Sequence, residues 1–198
     1  MRHGQTELNR KGKIQGNNNS RLNKTGQSQA MALASTMQLE NPTTLYTSPI
    51  TRAMETAEII GDAIGLIPKP LVALSEHNVG LLEGLSSKEM RLKYPDFATK
   101  WDLDPSNALP PGGNTLRETQ EIAWNATRTL NNKHENESIL VVSHNFTILC
   151  LVAKVLGVPV VNYRKFSVSL CGITRLIMDS SGNVKLVSLN ETGHLLKA

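Results

Sequence analysis

Two histidines stand at positions where an imidazole could take part in catalysis or bind an anion. His144 comes directly after the run SILVVS at 138–143 and precedes a helical segment, while His3 lies between Arg2 and Gly4. Side chains at the carboxyl end of a buried strand commonly form the sites of α/β proteins. Taken alone, each histidine is more simply explained as a hydrogen-bonded structural residue. A metal site is less well supported, because no carboxylate or histidine stands at ligand spacing from either one.

Two arginines strengthen the case for a binding site. Arg2 adjoins His3, and Arg52 falls in the first turn of the helix predicted after the strand Thr44–Thr47. A cation at the start of a helix opposes the helix dipole unless an anion is bound there, and the alternative is a solvated surface arginine. Guanidinium groups bind phosphate oxygens in pairs, and a helix N-terminus adds N–H donors. Two arginines and two histidines at strand ends therefore predict a phosphate site.

The hydrophobic pattern alternates between short strands and helices along most of the chain. It predicts helices at 25–39, 48–64, 86–93, 115–132 and 146–156. It predicts strands at 44–47, 71–74 and 138–142, followed by a hairpin of strands 172–178 and 184–189. This order is typical of an α/β fold in which a largely parallel sheet carries helices on both faces.

Local signals predict several boundaries of these elements. Ser48 is the expected N-cap of its helix, with Pro49 in the first turn and Gly65 at the end. A Ser-x-x-Glu capping box at Ser86 begins the next helix. The proline- and glycine-rich stretch Pro95–Asn114 is predicted as a surface loop.

The amino-acid composition limits the classes of protein to which this chain can belong. The chain has 198 residues, of which 39% are hydrophobic and 19% charged, so we expect a single folded domain over 1–198 and not a disordered tail. The net charge of +4 favours an anionic partner without identifying one. Basic residues do not form a stripe and Trp, Tyr and Phe together number only eight, so a nucleic-acid partner is not expected.

The cysteines and the apolar segments bear on the compartment. Cys150 and Cys171 lie in apolar settings, which predicts buried free thiols and a reducing environment. The N-terminus lacks the apolar core of a signal peptide. The longest apolar stretch, 146–161, is interrupted by Lys154 and Pro159 and falls short of the roughly 20 residues of a membrane span. We therefore expect a cytoplasmic protein with no membrane partner.

Six ordered motifs resemble the signature of the histidine phosphatase superfamily, in the branch that includes the cofactor-dependent phosphoglycerate mutases. They are RHGQTELN at 2–9, QG at 15–16 with LNKTGQSQA at 22–30, YTSPITRAMETA at 46–57, LSE at 74–76 with Gly80 and EG at 83–84, PGGNT at 111–115, and VVSH at 141–144. RHG alone is a weak signal, but the ordered set covers essentially the whole chain. The resemblance implies a three-layer α/β/α sandwich with a mostly parallel central sheet, like that of phosphoglycerate mutase.

The resemblance also implies roles for individual side chains. His3 would be the nucleophile that forms a phosphohistidine, as a neutral imidazole attacking phosphorus in line. Arg2, Arg52 and His144 would hold the phosphoryl oxygens and stabilise charge in the transition state. Asn9 matches a further position near the phosphate. No metal and no cofactor would be required.

The general acid has two candidates. Glu76 falls on the family's matching position and would protonate the leaving alkoxide, then activate water as a base. A carboxylic acid in that role should have a raised pKa. Glu83 is the competing candidate. His77 is next to Glu76, and we expect no role for it.

Two departures from the family pattern stand out. Asn145 replaces the glycine that usually follows the second histidine, which is a mild change. The chain begins at Met1-Arg2, where a family member would already have completed an apolar strand of about five to six residues. That first strand is therefore expected to be absent from this chain, leaving neighbouring strands with unpaired backbone groups.

The expected function is that of a metal-independent phosphomonoesterase acting on a small phosphorylated metabolite. The region 76–115 contains no long insertion of the kind that mutases of this family use to retain a phosphoglycerate, which favours hydrolysis. The alternatives are a cofactor-dependent phosphoglycerate mutase and a catalytically impaired member that binds a phosphorylated ligand or a partner protein. The oligomeric state is left open, with a homodimer as one option.

Overall fold

The computed structural model describes residues 1–197 as an α/β protein. The helices are α1 (Glu7–Arg10), α2 (Lys24–Met37), α3 (Thr51–Ile64), α4 (Ser87–Lys93), α5 (Pro95–Leu103), α6 (Leu116–Lys133) and α7 (Asn145–Val155). The strands are β1 (Thr44–Thr47), β2 (Lys69–Pro70), β3 (Ile139–Val142), β4 (Ile173–Met178) and β5 (Val184–Glu191). Short 3-10 helices lie at 72–74, 80–82, 160–165 and 193–197. Along the part of the chain that is described, no helix is long and apolar enough to cross a bilayer.

Three strands form a parallel sheet in the order β2-β1-β3. Because side chains alternate between the faces of a strand, neighbours in β1 pack against different layers. Leu45 packs into the core formed with α2 and α3, whereas Tyr46 packs with Leu130 of α6 on the opposite face. Helices therefore cover both faces, and the predicted three-layer α/β/α sandwich is confirmed.

The N-terminal segment extends this sheet beyond β3. Arg2 forms a parallel bridge with Ser143, and the His3 N–H donates to the Ser143 carbonyl at 3.0 Å. On the other side, the Arg2 N–H donates to the Gly172 carbonyl at 3.2 Å and the Cys171 N–H donates to the His3 carbonyl at 3.3 Å. The bridge between Arg2 and Ser143 takes the place of the first strand that the family resemblance implies. It holds His3 between β3 and the chain leading to β4.

The C-terminal part of the chain forms the predicted hairpin. β4 and β5 pair antiparallel with register shifts near Arg175, and Gly182 makes the turn between them at φ +82°. Arg175 donates through both terminal nitrogens to Glu40, at 2.8 and 2.9 Å. This bidentate pair ties the hairpin to the chain that follows α2.

The start of α3 differs from the prediction. The helix begins at Thr51 with Ile50 as its N-cap, so Ser48 and Pro49 precede it. Ser48 is fully buried. Its N–H donates to the Val142 carbonyl at 3.0 Å, and its hydroxyl accepts from the Ile50 N–H. The serine therefore forms the turn out of the sheet, and the predicted N-cap is wrong. Gly65 ends the helix in the left-handed conformation, as predicted.

Two further predictions are corrected in the segment between α3 and α6. The strand expected at 71–74 is instead β2 at Lys69–Pro70, after which the Leu71 N–H donates to the last residue of β1 and a 3-10 turn begins. The stretch expected to be a loop at Pro95–Asn114 begins with α5, and only 104–114 is irregular. Proline is favoured in the first turn of a helix, and Phe97 and Ala98 bury an apolar face against α4.

Candidate active site

His3 is buried at the end of the N-terminal segment, with both ring nitrogens in use. Nδ1 lies 2.7 Å from the Gly4 carbonyl, which can only accept, so Nδ1 carries the proton of the neutral ring. Nε2 therefore presents its lone pair, and it accepts from Nε of Arg52 at 3.1 Å. Burial, followed by the charges of Arg52 and Arg2, lowers the pKa of His3 well below its ordinary value of 6.5. The geometry yields a neutral, oriented imidazole.

The loop that carries His3 is held by direct backbone packing. A Cβ on Gly4 would lie 2.5 Å from the Gly26 carbonyl oxygen, and one on Gly26 would lie 2.1 Å from the Gln5 carbonyl oxygen. The Gly4 N–H also donates to the Thr56 hydroxyl of α3 at 3.1 Å. The first turn of α2 and the side of α3 thus fix the position of the imidazole.

Arg52 lies at the start of α3 and is fully buried. Besides its bond to His3, it donates to the Gly16 carbonyl at 2.7 Å and to the Asn18 carbonyl at 2.9 Å. These three contacts occupy three of the five N–H donors of a guanidinium, so two N–H donors remain that can bind an anion. Burial lowers the pKa of Arg52 to about 10, and the nearby Glu76 carboxylate opposes that shift. The side chain remains cationic at neutral pH.

Arg2 and His144 contribute polar atoms that the described chain leaves without partners. Arg2 donates to the Val168 carbonyl at 2.6 Å, but its buried Nε makes no hydrogen bond within residues 1–197. His144 is fully buried, and neither of its ring nitrogens has a partner in that range. Its ring centroid lies 5.2 Å from that of His3. Buried polar groups require a partner, so these atoms point to a bound polar ligand beside His3.

His144 is also neutral. Burial lowers its pKa well below 6.5, and the neighbouring His3, Arg52 and Arg2 lower it further. It is the N-cap residue of α7 without capping that helix through its side chain. A neutral imidazole retains one N–H, so His144 can donate a hydrogen bond to an anion.

Glu76 lies at the N-terminus of α7. Its Oε1 accepts from the backbone N–H groups of His77, Phe146 and Thr147, at 2.9, 3.0 and 3.4 Å. Burial raises the pKa of Glu76 above its ordinary value, and Arg52 is the largest of the opposing effects. A carboxyl group with a raised pKa next to two arginines can hold a proton and deliver it.

Asn9 and Gln15 belong to the turn that follows His3. Asn9 forms a capping box with Thr6, in which its Oδ1 accepts from the Thr6 N–H at 3.1 Å. Gln15 accepts from the hydroxyls of Thr6 and Ser20, at 2.9 and 2.8 Å. The capping box fixes the orientation of the Asn9 amide, while its role as a phosphate ligand stays a prediction.

Within residues 1–197, Glu83 and His77 make no hydrogen bond to His3 or His144. Glu83 accepts from the Asn17 N–H at 2.7 Å. His77 is buried in an aromatic cluster with Trp101 and Phe146, where Nδ1 bonds the Thr119 hydroxyl and Nε2 has no partner in the described chain. Burial lowers the pKa of His77 to about 4.

The structure brings His3, Arg52, Arg2 and His144 together, with Glu76 close enough for its charge to act on both arginines. Sequence reasoning missed the part played by the loop carbonyls of Gly16 and Asn18. Gly16 adopts φ +56° and directly precedes three asparagines at 17–19, and that combination is the available signal. Within residues 1–197, no three His, Cys, Asp or Glu side chains cluster as a metal site would require.

Comparison with known proteins gives consistent matches along the chain. A family model described as the histidine phosphatase superfamily (branch 1) matches residues 1–192. Phosphoserine phosphatase 1 of Hydrogenobacter thermophilus is 27% identical over 195 residues, which span 98% of this chain and 92% of that protein.

Two solved structures are similar throughout. YhfR of Bacillus stearothermophilus superposes with a TM-score of 0.92 at 26% identity, covering 98% of this chain and 96% of the other. Phosphoserine phosphatase of Entamoeba histolytica, in complex with 3-phosphoglyceric acid, superposes with a TM-score of 0.85 at 29% identity, with coverage of 98% and 96%.

Proposed function

Because the chain belongs to the histidine phosphatase superfamily, branch 1, we propose that it hydrolyses the phosphomonoester of a small metabolite through a phosphohistidine on His3. The observation that carries the proposal is the aimed lone pair of His3 Nε2, which faces Arg52 in a buried site. An imidazole must be neutral and oriented before its free nitrogen can attack phosphorus, and the lowered pKa of His3 and its bond to the Gly4 carbonyl support both conditions.

In the first step, the hydrogen bond from Arg52 Nε to His3 Nε2 is released as the phosphate ester binds, and Nε2 then attacks phosphorus opposite the ester oxygen. The nitrogen–phosphorus bond forms as the bond between phosphorus and the ester oxygen breaks, and the leaving alkoxide takes the proton of Glu76. The Gly4 carbonyl accepts from Nδ1–H and stabilises the positive charge that develops on the ring. An alcohol departs, leaving phosphohistidine and the Glu76 carboxylate.

In the second step, water replaces the alcohol. The water oxygen attacks phosphorus while the Glu76 carboxylate takes a proton from that water, and the bond between nitrogen and phosphorus breaks. Inorganic phosphate forms, His3 is again neutral, and Glu76 is again protonated. The carboxyl group therefore needs no net proton from solvent within one turnover.

The remaining side chains act on the charge of the phosphoryl group. Arg52 offers two N–H donors, Arg2 offers its unpartnered Nε–H, and His144 offers one N–H. In the transition state, negative charge is spread over three equatorial oxygens, and buried donors stabilise it more strongly than water does. These groups provide the electrophilic assistance that a metal ion provides in other phosphatases.

The substrate class is proposed from the relatives. Their names include phosphoserine phosphatase, and one of the solved structures holds 3-phosphoglyceric acid. Both compounds are small phosphate monoesters that also bear a carboxylate. We therefore place such metabolites first in a substrate panel, followed by sugar phosphates.

The first experiment is hydrolysis of an aryl phosphate in excess chelator, with His3→Ala as the matched inactive variant. We expect activity in the wild type that survives chelation and disappears in His3→Ala. Acid-sensitive, base-stable phosphate bound to the denatured wild-type enzyme, mapped to the peptide that contains His3, would identify the intermediate. Loss of activity on chelation, or full activity in His3→Ala, would overturn the proposal.

A second assay separates hydrolysis from mutase chemistry. The enzyme is incubated with 3-phosphoglycerate, and the products are resolved by chromatography. We expect free phosphate and glycerate, because in the proposed second step water takes the phosphoryl group from the phosphohistidine. Conversion to 2-phosphoglycerate without release of phosphate would identify a mutase instead.

A further inference from the structure

Glu83 lies across the loop Gly16–Asn18 from Arg52. Its Oε1 accepts from the Asn17 N–H at 2.7 Å. On the other side of the same loop, Arg52 donates to the Gly16 and Asn18 carbonyls. The Gly16–Asn17 peptide group therefore bridges the two side chains, with its carbonyl bound to the guanidinium and its N–H bound to the carboxylate.

The fit between Glu83 and the loop is close. A Cβ on Gly16 would lie 2.7 Å from Oε1 of Glu83 and 2.5 Å from a methyl group of Val79. Gly16 also has φ +56°, a conformation that other residues rarely adopt. The loop is consequently confined between a buried cation and a carboxylate, and it cannot shift without breaking one of the two sets of bonds.

The backbone on either side of Glu83 is anchored as well. The Gly84 N–H donates to the Ile14 carbonyl and the Ile14 N–H donates to the Leu85 carbonyl, each at 2.8 Å. Lys13 forms an antiparallel bridge with Ser86. The carboxylate therefore extends from a fixed segment, and it can hold the Asn17 N–H in a defined place.

We propose that Glu83 is a positioning residue that sets the orientation of the Arg52 guanidinium through the Gly16–Asn18 loop, and thereby sets the affinity of the site for phosphate. The proposal rests on the proposed function only in taking Arg52 as a phosphate ligand. It also assigns a different task to Glu83 from that of a proton donor, because its Oε1 faces the loop N–H.

Three variants separate a positioning role from a proton-donating role. Glu83→Gln keeps a carbonyl oxygen that can accept from Asn17 N–H, but it has no acidic proton. Glu83→Ala removes the acceptor, and Glu83→Asp keeps the charge but withdraws it from the loop by one methylene. Glu121→Ala is the matched control, since Glu121 pairs with Lys154 on the surface.

The first measurement is titration with inorganic phosphate by calorimetry, which requires no turnover. We expect the dissociation constant to rise about tenfold in Glu83→Ala and in Glu83→Asp, in line with the loss of one hydrogen bond. Glu83→Gln and Glu121→Ala should remain within about twofold of the wild type, well inside that one-bond effect. Equal affinity in all five proteins would overturn the proposal.

The second measurement is hydrogen exchange of the peptide that covers residues 15–20. We expect faster exchange in Glu83→Ala and Glu83→Asp and unchanged exchange in Glu83→Gln. Exchange that is unaltered by Glu83→Ala would overturn the proposal even if the enzyme hydrolyses phosphate esters. If the wild type neither hydrolyses esters nor binds phosphate, the proposed function fails, and exchange alone decides whether Glu83 holds the loop.

Activity gives a third readout. A positioning role predicts that Glu83→Gln retains most of the wild-type kcat on an alkyl phosphate, while Glu83→Ala raises KM more than it lowers kcat. If Glu83→Gln is as inactive as Glu83→Ala on alkyl phosphates and both bind phosphate normally, Glu83 is a proton donor and the proposal is wrong.

Discussion

Arg52, the proposed phosphate ligand, has most of its hydrogen-bond donors engaged by the protein itself. Three of its N–H donors hold His3 and two loop carbonyls, which leaves two for a ligand. A lysine ammonium keeps the charge, but it cannot make bonds in these directions at once. The planar guanidinium is therefore required at this position for its shape as well as its charge.

Arg52→Lys should lower kcat/KM by a factor of about 100 or more, comparable with the loss of one transition-state donor. Steady-state hydrolysis of an aryl phosphate measures the effect. Arg10→Lys is the control, since Arg10 makes only an exposed pair with Glu7. Similar kcat/KM values for Arg52→Lys and the wild type would show that the charge alone is sufficient.

Glu76 should produce a signature that depends on the leaving group and on pH. Because burial raises its pKa and the acid form is needed, hydrolysis of an alkyl phosphate should fall as pH rises through that raised pKa. Glu76→Gln should remove this pH dependence and lower kcat on alkyl phosphates by about 10²–10⁴. An aryl phosphate, which needs less protonation, should be affected far less. An equal loss on both substrates would exclude the general-acid role.

At the scale of elements, α2 positions the nucleophile through its backbone. Gly26 in its first turn approaches the Gln5 carbonyl so closely that any Cβ would collide with it. Gly26→Ala should therefore displace the loop that carries His3, lowering kcat at least about tenfold and the free energy of unfolding by about 1–3 kcal/mol. Urea unfolding and aryl phosphate hydrolysis measure the two effects. Gly193→Ala, with no atom within 4 Å of the new Cβ, should alter neither.

Elements with a local signal could be predicted, and those defined by distant contacts could not. The capping box at Ser86 and the left-handed Gly65 are local features, and they fall where the pattern indicates. Ser48 resembles an N-cap in sequence, but the Val142 carbonyl draws it into the sheet. The helix α5 was not predicted, because Pro95 and the later prolines suggest turns. In the structure, Phe97 and Ala98 bury an apolar face of this helix.

The same distinction applies to the site. His3, Arg2, Arg52, Glu76 and His144 could be identified from residue types, strand ends and family resemblance. The bonds between Arg52 and the carbonyls of Gly16 and Asn18 could not, because backbone carbonyls carry no signal in residue identity.

For the whole molecule, three buried neutral histidines make stability depend on pH. His3, His77 and His144 all have a lowered pKa, and that of His77 is about 4. In the unfolded chain they bind protons near pH 6.5, so the unfolded state gains protons first as pH falls. The stabilisation is complete above pH 6.5 and is lost progressively below it.

The free energy of unfolding should therefore decrease between pH 6.5 and 5, by up to about 1.4 kcal/mol per pH unit for each of these histidines. Urea unfolding at several pH values measures the slope. His77→Gln keeps a partner for the Thr119 hydroxyl without an ionisable group, and it should reduce the slope by up to about that amount. Parallel slopes for the two proteins would contradict the assignment of His77 as a buried neutral group.

The contacts of Arg2 have a consequence for the order in which the protein is made. Its guanidinium bonds the Val168 carbonyl, 166 residues further along the chain. At a synthesis rate of about 5–20 residues per second, the N-terminal motif must wait roughly ten seconds or longer before this partner exists. Contacts of such high sequence separation also form late in folding, because the intervening chain must be ordered first. The nascent chain is therefore inactive until Val168 has emerged, 24 residues beyond His144, the last of the proposed catalytic residues.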